Sequence, residues 1–384
     1  MIKAPDMLDM MRALVAAPSA SSFDPAADQG NMLVIDLLAT WLEGLGFTIE
    51  KQDLPGRAPR ANLIARLGDG PGGLVLSGHA DTVGCEHGRW RHDPYVLTED
   101  DGRYFGLGIA DMKVFFATSI EAARRFRSDS LHEPLYIVAT ADEECAMQGV
   151  HQLVEADKPR ARYAVIGEPT ALEPVRMHKG MMMTRVVLTG KSGHSSAPAA
   201  GASALDAMIA VCNEMISWRG QLGQEHHNTD FAVPVPTLNL GTLHGGDHPN
   251  RICGRCEMHM DLRPLPGMDI DVLRTAMRAR IEQAIAGRGV TLEMESMFPG
   301  TPPMHTPADS ALVRFAEEVT GRRAGSASYG TEAPHFAHLG MDALLLGPGD
   351  IAQAHQPDEF VLGERLEPTV EILARMIDRF CQNA

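Results

Sequence analysis

Hydrophobic positions in the first part of the chain form short solid runs that alternate with stretches of helical period. Met7, Met10, Met11, Leu14 and Val15 predict an amphipathic helix within residues 1–22. That segment lacks the basic stretch and apolar run of a signal peptide, so it belongs to the fold. Residues 31–45 bring Leu33, Leu37, Leu38, Trp41 and Leu42 to one face, with Gly46 placed to end the helix. Strands are predicted at 47–50, 61–67, 74–77, 135–140 and 163–167. The run at 74–77 is wholly apolar at its start, as in a sheet covered on both faces. Residues 111–126 read as a helix leaving a glycine-rich turn at Gly106 and Gly108. Strands alternating with helices predict an α/β layer structure.

The pattern changes after Arg176. Residues 182–190, 237–243 and 256–263 alternate with period two, and 290–295 reads as a further strand. Residues 202–218 and 269–286 carry helical period. The order β-α-β-β-α-β predicts a ferredoxin-like α+β unit. After Thr301 the α/β pattern returns, with a helix at 310–320, a strand at 343–346 and a terminal helix at 367–381. The expected organisation is therefore one α/β domain, residues 1–177 and 297–384, interrupted by an α+β domain at 178–296.

Composition narrows the function classes. The 384 residues carry 34 Lys+Arg against 50 Asp+Glu, a formal net charge of −16. An acidic chain lacks the basic footprint that nucleic acid requires, and it is repelled by anionic membrane surfaces. No run approaches the roughly 18 apolar residues of a membrane-spanning helix. The six cysteines are scattered and form no disulfide framework, so a cytoplasmic location is expected. Cys253 and Cys256 have the spacing of half a zinc knuckle but no second pair, and read as strand residues. The run Met181-Met182-Met183 opens a strand and reads as packing.

Candidate chemistry clusters where predicted strands end. Ser77-Gly78-His79-Ala80-Asp81 follows an apolar strand, at the end where α/β sheets place ligands. A lone histidine there is more often a satisfied loop residue. Asp81, two residues on, is placed to accept the second ring N–H of a metal-bound imidazole. Asp111 opens a predicted helix and, read alone, is more often an N-cap than a ligand. Asp142-Glu143-Glu144 follows the strand 135–140, Glu168 follows 163–167, and His355 follows 343–346. Successive strands each delivering a histidine or carboxylate argue against unrelated surface groups. Two histidines with several carboxylates and no thiolate suit Zn²⁺, Co²⁺ or Mn²⁺, with one carboxylate spare as a general base.

These segments, with Gly108-Ile109-Ala110-Asp111 and Gly167-Glu168-Pro169, resemble the M20 metallopeptidase and deacylase family over nearly the whole chain. The resemblance implies two divalent ions about 3.5 Å apart, Zn²⁺ with Co²⁺ as a substitute. It assigns His79 and Glu168 to one ion, Glu144 and His355 to the other, and Asp111 to both. Asp81 would orient His79, and Glu143 would be the general base. Gly190-Lys191-Ser192-Gly193-His194 resembles the segment whose histidine reaches the neighbouring subunit's site and stabilises the oxyanion. That implies a homodimer formed through the inserted domain. Read alone, His194 is a turn histidine. Asn250 and Arg263 match positions that contact substrate in relatives, although Arg263 also suits a strand-end salt bridge with Asp261.

Ser328-Tyr329-Gly330-Thr331-Glu332-Ala333 resembles the branch of the family that deacetylates N2-acetyl-L-ornithine, rather than the succinyl-diaminopimelate desuccinylases. The resemblance implies an N-acyl amino acid substrate, with Glu332 facing its free amino group. The alternative is a related deacylase acting on acetylcitrulline, succinyl-diaminopimelate or a dipeptide. Phe115 and Phe116 stand where small residues are common in relatives, and His335 where an apolar one is expected.

Overall fold

The computed structural model describes residues 4–54 and 59–383. Residues 1–3 and 384, at the ends of the expected outer segments, lie outside the described residues. The chain divides into two compact units. One comprises Met1–Arg176, Thr306–Gly325 and Glu332–Ala384, and the other Met177–His305 with Ser326–Thr331.

The first unit is built on a mixed sheet. Its strands run in the order Thr48–Asp53, Ala61–Leu67, Leu135–Thr140, Leu74–His79, Tyr163–Ile166, Asp342–Leu345. The first two pairings are antiparallel and the next three are parallel. Every residue of Leu74–His79 and Leu135–Thr140 is buried, so both sheet faces are covered. The helix Val114–Ala123 packs with Met7–Ala16 and Leu366–Ile377, while Gln148–Glu155 packs with Ala333–His338. The helix Met32–Gly44 lies against the outer strands. It buries Val34, Ile35, Leu38, Trp41 and Leu42, whereas Leu33 is exposed. The inward stripe is thus rotated from the one expected, because Val34 and Ile35 complete the i, i+4, i+7 row better than Leu33.

The glycine-rich turn differs from expectation too. The helix proper begins at Val114, and Asp111 has φ −126° and ψ 85°. Asp111 is therefore no N-cap; it projects from an irregular turn three residues before the helix. A three-stranded sheet, Phe360–Leu362 with Arg103–Phe105 and Thr98–Asp100, borders this turn.

The second unit carries an antiparallel sheet in the order Thr237–Gly245, Arg255–Arg263, Met182–Thr189, Thr291–Ser296. With the helices Ala204–Glu225 and Ile270–Ile285, this is the ferredoxin-like order. Its core holds Cys253, Cys256 and eight of the 22 methionines, Met182 among them. Packing accounts for the cysteine pair and for Met182, while Met181 and Met183 are half-buried. Among the described residues, no helix is long and apolar enough to cross a membrane.

Candidate metal centre

Four neighbouring parallel strands deliver polar side chains at the same sheet edge. His79 closes its strand, Asp142-Glu143-Glu144 follows Leu135–Thr140, Glu168 follows Tyr163–Ile166, and His355 lies beyond Asp342–Leu345. The carboxyl ends of parallel strands are the open end of such a sheet. Asp111 enters from the turn before Val114–Ala123.

The ligand atoms form three groups, each within 4.8 Å: His79 with Asp111 and Glu168, Asp111 with Glu144 and His355, and His79 with Glu143 and Glu144. Asp111 presents Oδ1 to His79 Nε2 at 3.1 Å and Oδ2 to His355 Nε2 at 3.5 Å. Glu144 Oε1 lies 3.0 Å from His355 Nε2. His79 Nδ1 donates to the backbone carbonyl of Asp81 at 3.0 Å. In the neutral ring this leaves Nε2 as the ligating nitrogen.

Asp81 acts differently from the expected pattern. Its carboxylate lies 3.8 Å from His79 Nδ1, because the strand ends at His79 and the backbone carbonyl takes the bond instead. The freed oxygens accept the backbone N–H groups of Glu143 and Glu144, both at 3.2 Å. Asp142 turns the chain at φ +64° and pairs with the buried Arg60, which also pairs with Asp28. The acidic run is thus held from below at two points. No carboxylate hydrogen bond is made by Glu143 among the described residues.

Electrostatics follow from this crowding. Burial pushes the Glu143 and Glu168 carboxyls well above the usual range and raises Glu144. Burial opposes ionisation of Asp111 as well, yet the two histidines outweigh it and hold that carboxyl low. His355, bonded to Asp111 and Glu144, is raised to about 10. A cluster of carboxylates with two imidazoles and no thiolate fits divalent cations of the zinc and cobalt type, whose charge reverses the cost of gathering acids.

Glu332 is buried, with Oε2 accepting from Thr140 Oγ1 at 2.7 Å and the carboxyl raised to about 7 by burial. Phe115 and Phe116 face the sheet: a Cβ added at Gly167 would overlap the Phe115 ring, and one added at Gly78 would meet Phe116 Cζ at 3.1 Å. The large rings are complemented by glycines directly before Glu168 and His79. His335 is buried in edge-to-face contact with His151, 4.6 Å between ring centroids.

His194, Asn250 and Arg263 belong to the second unit. His194 is exposed, with its Nδ1 2.7 Å from Ser196 Oγ and 3.2 Å from the Ser196 backbone nitrogen. Asn250 Oδ1 bonds His248 at 2.6 Å, and Arg263 Nε donates to Asp261 at 2.8 Å, the strand-end pairing.

Sequence reasoning gave no role to Arg60 or Glu359. The latter is buried, and its carboxylate accepts three backbone N–H groups of the Asp111 turn. The only sequence signal was a carboxylate placed directly before an apolar strand.

Residues 75–379 match the model of peptidase family M20/M25/M40. The chain is 44% identical to an acetylornithine deacetylase of Pectobacterium carotovorum over 99% of both chains. It is equally identical to one of Yersinia pseudotuberculosis, again over 99% of both. Among solved structures, the aminopeptidase PepT of Bacillus cereus superposes with a TM-score of 0.77 at 21% identity, covering 99% of each chain, and so shares the fold. A match over most of the chain and full-length relatives at this identity have one consequence: the chain belongs to peptidase family M20/M25/M40.

Proposed function

We propose that this protein is a metal-dependent amidohydrolase that removes the acetyl group from N2-acetyl-L-ornithine, giving ornithine and acetate. The observation that carries the reading is Asp111, shared between two histidine–carboxylate groups in a chain whose full-length curated relatives are acetylornithine deacetylases. The first group, His79, Asp111 and Glu168, would hold one divalent ion, and Asp111, Glu144 and His355 the other. Zn²⁺ is the expected metal, with Co²⁺ a competent substitute. When bound, such ions polarise the scissile carbonyl and make water acidic enough to ionise near neutral pH.

The chain's own residues do the rest. Glu143 takes the proton of the attacking water and delivers it to the leaving amine. A carboxyl raised by burial, with no hydrogen bond among the described residues, is suited to both steps. Asp81 positions Glu143 through the two backbone N–H groups it holds. Glu332 accepts from the substrate's free amino group; its Oε1 has no hydrogen-bond partner among the described residues. His194 from a partner subunit donates a ring N–H to the developing oxyanion, which requires a homodimer formed through the second unit, the dimerisation domain. Asn250 and Arg263 contact the substrate carboxylate once Arg263 leaves Asp261. Scattered free cysteines support a cytoplasmic setting.

Glu143→Ala tests the chemistry. It should abolish turnover while two equivalents of metal remain bound, and normal turnover would refute the assignment. Chelator should silence the unmodified enzyme, and an unchanged rate would refute the metal reading.

A further inference from the structure

The segment that carries His355 also carries Glu359, whose side chain is 2% exposed. Its Oε1 accepts the backbone N–H groups of Ala110 at 2.7 Å and Asp111 at 3.0 Å, and Oε2 accepts that of Gly108 at 2.9 Å. Its own carbonyl accepts from Gly106 at 3.0 Å. Immediately afterwards Phe360–Leu362 pairs antiparallel with Arg103–Phe105. One strap therefore grips the turn around Asp111 along its length. The buried cation Lys113 spends hydrogen bonds elsewhere, on the carbonyls of Leu14 at 3.0 Å and Ala17 at 2.8 Å. Burial raises the Glu359 carboxyl to about 8, and the amides that oppose this shift converge on it from a turn with Gly108 at φ +71° and non-helical Asp111.

We propose that Glu359 is a positioning residue: a backbone template that fixes Asp111 relative to His355 and so sets divalent-cation affinity at the group Asp111, Glu144 and His355. The inference rests on the metal reading above. Among the described residues, Glu359 makes no side-chain hydrogen bond to Asp111, Glu144 or His355; its partners are backbone amides. It acts by preventing the Asp111 turn from relaxing into the helix that its neighbours would otherwise extend. Because His355 and Glu359 lie on one segment, the ligand and the template for the shared ligand move together.

Glu359→Gln keeps the shape but turns an amide donor toward at least one backbone N–H. The experiment titrates Co²⁺ into metal-free protein, following the visible absorption of the bound ion, for the unmodified chain, Glu359→Gln and Glu359→Asp. A positioning role predicts that one of two Co²⁺ equivalents binds about 10- to 100-fold more weakly in both variants, with an altered absorption band. A merely structural role would lower the unfolding temperature and leave Co²⁺ affinity and spectrum of the folded protein unchanged, and that result overturns the inference. If the unmodified chain binds no Co²⁺, the metal reading itself falls, so the two failures are distinguishable. Hydrogen exchange on the metal-free unmodified chain supplies a test without a variant. The amides of Gly108, Ala110 and Asp111 should be strongly protected before any metal is added. Exchange at the rate of a free peptide overturns the template.

Discussion

Gly167→Ala probes how the site is supported by the core beneath it. The added Cβ would overlap the Phe115 ring at Cγ, Cδ1 and Cδ2. Non-bonded carbons settle at about 3.5–4.0 Å, so ring and backbone must part by about 1 Å or more. Phe115 is fully buried on a packed helix, and the next residue is Glu168. The displacement therefore divides between overpacked core and misplaced carboxylate. Overpacking of this kind costs about 1–3 kcal/mol. A metal ligand tolerates only about 0.2 Å, so Zn²⁺ affinity at His79, Asp111 and Glu168 should fall at least about tenfold. Gly78→Ala is the graded control. Its Cβ would meet Met112 Cε at 2.9 Å and Phe116 Cζ at 3.1 Å, and the first is the free end of a flexible side chain. It should cost less. Adding Phe115→Ala to Gly167→Ala should relieve the overlap, making the double variant more stable than the sum of the singles by about 1 kcal/mol. Guanidinium unfolding and Zn²⁺ titration measure both effects. Additive energies, or Gly78→Ala proving the worse variant, would refute the packing argument.

Arg60→Met removes the guanidinium from between the buried carboxylates of Asp28 and Asp142 and should destabilise the protein by about 3–5 kcal/mol in chemical denaturation; a change under about 1 kcal/mol would contradict the buried pair. His178, buried with Nδ1 donating to the Lys179 carbonyl, is lowered from 6.5 to about 4 by burial. The unfolded chain then binds the extra proton between those values, so stability is full above pH 6.5 and declines as pH falls toward 4, by about 3 kcal/mol at most. Relative to His178→Gln, a flat profile across that window would refute the assignment. His194→Ala should lower kcat about 10²–10³-fold. Mixing it with Glu143→Ala should restore activity through mixed dimers, and no recovery would remove the trans role.

What the sequence made legible had a local cause. Leu74–His79 and Leu135–Thr140 are solid apolar runs because both faces are covered, and the ligands stood out because each follows such a run. The sequence around Asp111 predicts a helix start since its neighbours continue the helical pattern; the irregular turn is held by Glu359, 248 residues away. No local pattern reports such a contact. The strands Thr98–Asp100, Arg103–Phe105 and Phe360–Leu362 are three residues each, too short to show a period. The roles of Arg60 and of the Asp81 carboxylate depend on tertiary partners and were invisible for the same reason. Phe115 and Phe116 looked like intruders until the glycines opposite them were placed.

The central claim is a substrate and a chemistry together. Purified protein, stripped of metal and reloaded with Zn²⁺ or Co²⁺, should be assayed for amine and acid release. The panel is N2-acetyl-L-ornithine, acetylcitrulline, succinyl-diaminopimelate and acetylmethionine. The account predicts metal-dependent release of ornithine and acetate, with kcat/KM highest for N2-acetyl-L-ornithine. Preference for another member of the panel, or equal turnover without metal, would contradict it.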